Sequence, residues 1–152
     1  MKNVCIAALA LVVSGCAATY AAPTAPNQTA TSKTSSTKAQ VLVAARKALV
    51  SAGYQITSFD DAAGVISTAP RDLHVTPDQV NCGTTMGLDY LKDNRTTTRV
   101  AYGVIASDGQ FEVRANIEGE YRPGAVDQNI TLTCISRGTL DAAMAQQIRS
   151  FL

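Results

Sequence analysis

The sequence has no tryptophan and a single histidine, His74, among its 152 residues. His74 is not spaced from any cysteine as a zinc ligand would be, and no nucleophile stands where it would pair with the imidazole. Gly-x-Ser-x-Gly, a phosphate-binding glycine loop, an EF-hand loop and Cys-x-x-Cys are also absent. We therefore expect no enzyme activity, no catalytic residue, no metal and no cofactor.

The chain also lacks an excess of one charge. Its 13 basic and 12 acidic side chains nearly balance, and they balance fully once Lys2 is removed with a leader peptide. This balance indicates neither a nucleic-acid partner nor a polybasic membrane patch. Aromatic residues make up only 5% of the chain, so a core must rest on valine, isoleucine, leucine and alanine.

The N-terminal residues have the pattern of an export signal. Lys2 precedes an apolar run at residues 4–13, which is about half the roughly 20 residues needed to cross a membrane. The segment 13–16, Val-Ser-Gly-Cys, ends this run. It resembles the bacterial lipobox, in which the cysteine is lipidated and becomes the first residue of the mature chain. An ordinary signal peptide cleaved elsewhere, with Cys16 unmodified, is the alternative.

The lipobox resemblance implies a domain organisation. Residues 1–15 are then a lipoprotein signal peptide, and acyl chains on Cys16 hold the protein to a membrane. The next residue, Ala17, is not the aspartate that signals inner-membrane retention, which implies the outer membrane with the domain facing the periplasm. Residues 16–37 are rich in alanine, threonine, serine and proline and predict a flexible tether. Residues 38–152 remain as a single domain.

Two cysteines remain in the body of the chain, Cys82 and Cys134. In an oxidising compartment an even pair indicates a disulfide bond. Two free buried thiols, or a metal site that lacks further ligands, are the alternatives. A disulfide would tie residues 70–95, which show no clear period, to the strand that carries Cys134.

Hydrophobic periodicity predicts a helix near each end of the domain. Thr37 and Gln40 have the capping-box spacing, and the apolar stripe that follows lasts until Gly53, the residue expected just after the helix. A second helix is predicted after Gly138, with Thr139 as its N-cap, and it carries an apolar face.

The region between 96 and 121 predicts a long β-hairpin. Asp108-Gly109 is typical of a type I′ turn, and it lies between two segments of alternating polarity. With these two residues at the tip, Ala106 lies opposite Phe111 on the apolar face and Arg99 lies opposite Glu118 on the other.

Shorter alternating segments predict strands at 54–59, 65–69 and 130–135. Together the elements predict an α+β fold. It is a two-layer sandwich, with an antiparallel sheet of about five strands and two helices on one face.

Residues 70–95 form the irregular part of the domain. A single helical turn is expected at 76–79, ending near Gly83. A connection this long is either functional or fixed in place, and a fixed loop presents apolar side chains at little entropic cost. Met86, Leu88 and Tyr90 are therefore candidate partner-binding residues. The alternative is that Met86, Leu88 and Leu91 simply cover the core.

Several segments resemble small outer-membrane lipoproteins of proteobacteria, a group that includes a lipoprotein component of the outer-membrane β-barrel assembly machinery. The resemblance lies in Gly-Tyr-Gln-Ile at 53–56, Gly-Val-Ile-Ser-Thr at 64–68, and the segments around the paired cysteines at 81–83 and 134–140. It implies a helix followed by hairpins and a final helix. It assigns no partner-contacting residue.

These features favour a non-enzymatic, periplasm-facing lipoprotein that is an accessory or scaffold subunit of a cell-envelope complex. Its partners would be the membrane, through the lipid anchor, and an envelope protein. The alternative is an inhibitor or immunity protein that blocks an envelope hydrolase through residues 70–95. An enzyme is the third possibility, and it would need a polar cleft lined by Asp72, His74 and Asp78.

Overall fold

A computed structural model of the chain describes residues 20–124 and 129–152. The predicted lipidation site, Cys16, lies outside these residues. The elements run β1 (Tyr20–Ala21), β2 (Ala30–Lys33), α1 (Lys38–Ser51), β3 (Ile56–Asp60), β4 (Val65–Thr68), β5 (Arg71–Asp72), β6 (Val80–Asn81), β7 (Thr84–Thr85), β8 (Leu88–Asp89), a 3₁₀ turn (Tyr90–Lys92), β9 (Thr96–Ser107), β10 (Gln110–Tyr121), β11 (Ile130–Thr133), β12 (Ile135–Ser136) and α2 (Thr139–Arg149).

The main sheet is antiparallel and has the order β11-β10-β9-β4-β3, with β2 also paired to β10 and β5 to β9. Both helices pack against this sheet, and the predicted α+β class is confirmed. Two small sheets, β1-β7-β8 and β6-β12, lie beside it. No helix in the described ranges is long and apolar enough to cross a membrane.

The long hairpin of β9 and β10 forms the centre of the sheet with the predicted register. Asp108 and Gly109 make the turn, Ala106 pairs with Phe111, and Arg99 pairs with Glu118. A one-residue slip would turn the buried residues of one strand to the solvent face, opposite the polar residues of the other, which explains why the alternating pattern determined the register.

Helix α1 begins and ends as predicted. The Thr37 side chain accepts a hydrogen bond from the Gln40 amide, and the Gln40 side chain accepts one from the Thr37 amide at 2.9 Å. Its C-cap is Ala52, and Gly53 follows with a φ of +80°. The capping box and the terminal glycine were therefore reliable signals.

The predicted cap of α2 was wrong by one residue. The N-cap is Gly138, with a φ of +86° and no side-chain capping bond, and Thr139 is already the first helical residue. Glycine adopts this left-handed backbone without the steric cost that a residue with a side chain would have there.

Asp141, in the first turn of α2, is a fully buried carboxylate. Strands β2 and β11 pair with opposite ends of the outer edge of β10, and on that edge Ala115 lies between them without a strand partner, although it pairs with Tyr102 of β9 on the other edge. The Asp141 carboxylate accepts a hydrogen bond from the Ala115 amide at 2.6 Å and another from the Ser136 hydroxyl. The Asn27 side-chain amide donates to the Ala115 carbonyl at 3.0 Å. The Asp141 and Asn27 side chains therefore supply the hydrogen bonds that a neighbouring strand would otherwise make to the Ala115 backbone.

The expectation of a flexible tether over residues 16–37 was wrong from Tyr20 onward. Tyr20 and Ala21 pair with β7, and β2 pairs with β10. Composition predicts disorder because few apolar side chains are available to bury, yet this segment is ordered by backbone bonds to two existing strand edges. The folded domain therefore includes Tyr20 and does not begin at residue 38.

The irregular region 70–95 holds five short elements that the sequence pattern did not reveal. Each strand has two residues, which is too short to show a period of two. The expected turn at 76–79 is present, since the Gln79 amide donates to the Thr76 carbonyl at 3.0 Å, but the chain then enters β6. The predicted strand at 130–135 divides into β11 and β12 at Cys134.

Candidate functional site

The hairpin of β7 and β8 ends in a two-residue turn made by Met86 and Gly87. Thr84 pairs with Asp89 and Thr85 pairs with Leu88. Both turn residues have positive φ, +49° at Met86 and +80° at Gly87, which is typical of a type I′ turn. A residue with a side chain loses about 1–2 kcal/mol in this left-handed conformation. A methionine held there is an outlier of the kind that clusters at functional sites.

This turn exposes two large apolar side chains, Met86 and Leu88, which we call the apolar tip. Met86 is 85% exposed and Leu88 is 71% exposed. The alternative that they cover the core is therefore wrong for both residues, although it holds for the buried Leu91. Tyr90, the third candidate partner-binding residue, is only 4% exposed. Its side chain supports the hairpin and offers little surface to a partner.

Three tyrosines lie in a row beneath the hairpin: Tyr20 of β1, Tyr90 of the 3₁₀ turn and Tyr121 of β10. Each neighbouring pair packs edge to face, with ring centroids 5.7 Å apart for Tyr20 and Tyr90 and 5.0 Å for Tyr90 and Tyr121. The Tyr20 hydroxyl also accepts a hydrogen bond from the Thr133 amide at 2.8 Å. Such aromatic pairs contribute about 0.5–1.5 kcal/mol beyond their burial. The row therefore fixes β1 and the hairpin to the main sheet.

Arg95 closes the far end of the tyrosine row. Its guanidinium lies over the Tyr121 ring at 5.1 Å and contacts the Asp93 carboxylate at 2.6 Å. The Tyr121 hydroxyl donates to the same carboxylate at 3.3 Å. The hydrogen bond from the Arg95 side chain, more than any other contact, holds the pKa of Asp93 well below its usual range.

We expect Arg95→Gln to raise the pKa of Asp93 back toward about 4, the value of an unpaired aspartate. Because the folded pKa is lowered, the pair stabilises the protein above about pH 4, and this contribution is lost as the pH falls toward the folded pKa. Carbon-13 titration of the Asp93 carboxyl measures the change. Arg122→Gln is the matched control, since Arg122 pairs with Glu120 at 3.0 Å. Equal Asp93 midpoints in wild type and Arg95→Gln would contradict the assignment.

A groove of about 640 Å³ lies between the hairpin, the 3₁₀ turn and the end of β10. The Thr85 hydroxyl, on the wall of this groove, is buried and has no hydrogen-bond partner among the residues that the structure describes. Its lining is Thr85, Leu88, Asp89, Tyr90, Lys92, Asp93, Asn94, Arg95 and Tyr121.

A disulfide joins Cys82 to Cys134, as predicted. Asn81 pairs with Ile135 in the β6–β12 ladder, so the two cysteines stand at the next position along the same pair of strands. The bond packs against Gly119 of β10, where a Cβ atom would lie 2.6 Å from the Cys134 sulfur. This cross-link is located two residues before β7, so it fixes the base of the hairpin to β11 and β12.

The polar cleft required by the enzyme alternative is formed only in part. Asp72 and His74 line a groove of about 510 Å³ together with Arg99, Glu120 and Arg122. Asp78 is not among the residues of that groove. Among the described residues, no three histidine, cysteine, aspartate or glutamate side chains lie together as a metal site would require.

The structure thus brings together Met86, Leu88 and the disulfide, and it adds residues that no sequence pattern selected. Tyr20, Arg95 and Tyr121 come from distant parts of the chain. The pairing of β1 with β7 brings in Tyr20, and the pairing of β9 with β10 brings Arg95 to Tyr121. The one local signal was Met86-Gly87, where a glycine stands between the short segments Thr84–Thr85 and Leu88–Asp89.

Comparisons with known proteins add little to this geometry. No known protein family matches the sequence, and no curated protein sequence gives a significant match. Among solved structures, the chain is similar to a TBP-like protein from Parabacteroides distasonis, with 14% sequence identity and a TM-score of 0.43. The matched region covers 68% of this chain and 62% of the length of that protein.

Proposed function

We propose that this chain is a lipoprotein of the outer membrane that faces the periplasm and is a non-enzymatic accessory or scaffold subunit of a cell-envelope complex. The lipobox at 13–16 supports the lipid anchor. The Cys82–Cys134 disulfide supports an extracytoplasmic location, because such bonds persist in oxidising compartments.

The observation that carries this proposal is the position of β1. Tyr20 is already paired with Thr85, and it is only four residues after Cys16. Four Cα–Cα steps of about 3.8 Å reach at most about 15 Å. A lipid on Cys16 would therefore hold the domain at the bilayer surface, where it can contact lipid or a membrane-embedded protein. This geometry favours an accessory role within a membrane complex over one that reaches across the periplasm.

We expect Cys16→Ser to abolish membrane attachment. The wild-type protein should incorporate radioactive palmitate, sediment with membranes and show the mass of a chain that begins at acylated Cys16. The Cys16→Ser variant should incorporate none, because no other thiol occupies the lipobox. Cys5→Ser is the matched control, since Cys5 lies within the apolar run that is removed, and it should be labelled as the wild type is. Palmitate labelling of Cys16→Ser would contradict the proposal.

A complex should be captured in intact cells. A photoreactive amino acid placed at exposed positions on different surfaces, Val50 on α1 and Ile105 on β9, tests for a neighbouring envelope protein. We expect one reproducible cross-linked protein from one of these surfaces and none from the Cys16→Ser variant, because that variant leaves the membrane. The absence of any protein cross-link from either surface would count against an accessory subunit.

A second candidate is an inhibitor or immunity protein that blocks an envelope hydrolase. One observation favours it: the apolar tip is exposed on a hairpin whose base is fixed by a disulfide and by the tyrosine row. A rigid apolar projection loses little entropy on entering a cleft. This candidate requires that the tip contact a protein.

A further inference from the structure

We propose that the apolar tip inserts into the interface of the bilayer that holds the lipid anchor, so that the domain is attached at two points. This inference rests on the proposed lipidation of Cys16. Its starting observation is that Met86 and Leu88, at 85% and 71%, are the two most exposed large apolar side chains of the described ranges, where the other exposed ones lie between 36% and 61%.

The direction of β1 places the anchor at the same end of the domain as the tip. β1 is antiparallel to β7, with Tyr20 opposite Thr85 and Ala21 opposite Thr84. The chain enters β1 at Tyr20, which is therefore beside the residue that immediately precedes Met86. A chain that arrives from a lipidated Cys16 reaches the domain at the tip itself, within the roughly 15 Å that four residues can span.

The charges around the tip are compatible with a lipid surface. Lys92, in the 3₁₀ turn, lines the same groove as Leu88, and its ammonium group can bind phosphate head groups. The neighbouring carboxylates are engaged within the protein, because Asp89 accepts a hydrogen bond from the Leu91 amide at 2.9 Å and Asp93 is paired with Arg95.

The opposite end of the domain is far from the tip. The tyrosine row and the β7–β8 hairpin lie at the open end of the long hairpin, where β9 begins at Thr96 and β10 ends at Tyr121. The turn between β9 and β10 is eleven residues further along β9 from Thr96, which is about 37 Å at the rise of an extended strand. Helix α1 begins at that turn, since the Lys38 amide donates to the Asp108 carboxylate at 2.8 Å. Apolar Val43, exposed near the start of α1, is therefore a matched control.

Fluorescence of single tryptophans tests the proposal, because the natural sequence contains none. The full lipidated chain carries Met86→Trp, Leu88→Trp or Val43→Trp in vesicles of phosphatidylethanolamine and phosphatidylglycerol whose acyl chains bear bromine. Two tip variants guard against one of them failing to fold, and circular dichroism checks each. We expect tryptophan at 86 or 88 to lose most of its emission and to shift to shorter wavelength, while tryptophan at 43 does neither.

The outcomes separate this inference from the proposed function. If the chain is acylated and sediments with the vesicles but the tip tryptophans are quenched no more than the one at 43, insertion of the tip is contradicted and lipidation of Cys16 is supported. If mass spectrometry finds no acyl chain on Cys16, both proposals fall. In intact cells, a photoreactive residue at 86 should form adducts with lipid. A specific protein adduct there would overturn insertion and favour the inhibitor candidate.

Discussion

Loss of the Cys82–Cys134 disulfide is expected to lower the free energy of unfolding by about 4 kcal/mol. The two cysteines are 52 residues apart, and the chain-entropy treatment gives this value for a loop of that length. The reason is that the cross-link restricts the unfolded chain far more than the folded one. Urea unfolding of the oxidised protein and of the protein in reductant, followed by circular dichroism, measures the difference. Equal unfolding midpoints in the two conditions would contradict the prediction.

Gly119 offers a second measure of how the bond is packed. A Cβ at Gly119 would lie 2.6 Å from the Cys134 sulfur and 3.1 Å from the Leu132 Cβ, so Gly119→Ala should destabilise the oxidised protein by about 1–3 kcal/mol. The penalty should shrink when both cysteines are replaced by alanine, because the closest obstacle is then gone. Gly103→Ala is the control, since nothing lies within 4 Å of a Cβ there.

Asp141→Ala is expected to lower the free energy of unfolding by about 3 kcal/mol. Hydrogen bonds to a charged group are worth about 1.5–3 kcal/mol each, and this carboxylate accepts one from the Ala115 amide and one from the Ser136 hydroxyl. The substitution leaves the Ala115 amide buried without an acceptor. Asp141→Asn, which keeps one carbonyl oxygen, should lose about half as much stability.

Two measurements check the role of Asp141. Urea unfolding gives the stability, and hydrogen exchange at the Ala115 amide should become faster in Asp141→Ala than in the wild type. Asp61→Ala is the control, because Asp61 is exposed in the β3–β4 turn, and it should change stability by no more than about 0.5 kcal/mol. If Asp141→Ala unfolds at the same urea concentration as Asp61→Ala, the carboxylate does not complete the sheet edge.

The parts of the fold that could be predicted well are those with a local signal of sufficient length. The Asp108-Gly109 turn and twelve alternating residues on each side determined a register, and the Thr37 capping box determined a helix start. The disulfide could be inferred because only Cys82 and Cys134 remained in the body of the chain. The hairpin and the helix start depend on residues that are close together in the sequence, and the disulfide depends only on the number of cysteines.

The candidate site was predicted only in outline, since its parts meet through long-range pairing. Met86 and Leu88 could be selected as apolar residues in a fixed loop, but their exposure depends on a turn in which methionine has a left-handed backbone. Tyr20 was assigned to a flexible tether because composition rules do not anticipate that two residues will pair with a distant strand edge. The buried role of Asp141 could not be predicted, because its partners Ala115 and Ser136 lie on other elements.

If Cys16 carries a lipid as proposed, the attachment of β1 determines how a mechanical load on that lipid enters the protein. A pull on the chain ahead of Tyr20 acts along β1, so it shears the backbone bonds to β7 together instead of unzipping them one by one. The Tyr20 hydroxyl, bonded to Thr133, passes part of that force to β11. The Cys82–Cys134 bond joins the segment before β7 to the end of β11, so force that crosses the β1–β7 hydrogen bonds would pass on to the main sheet through a covalent link.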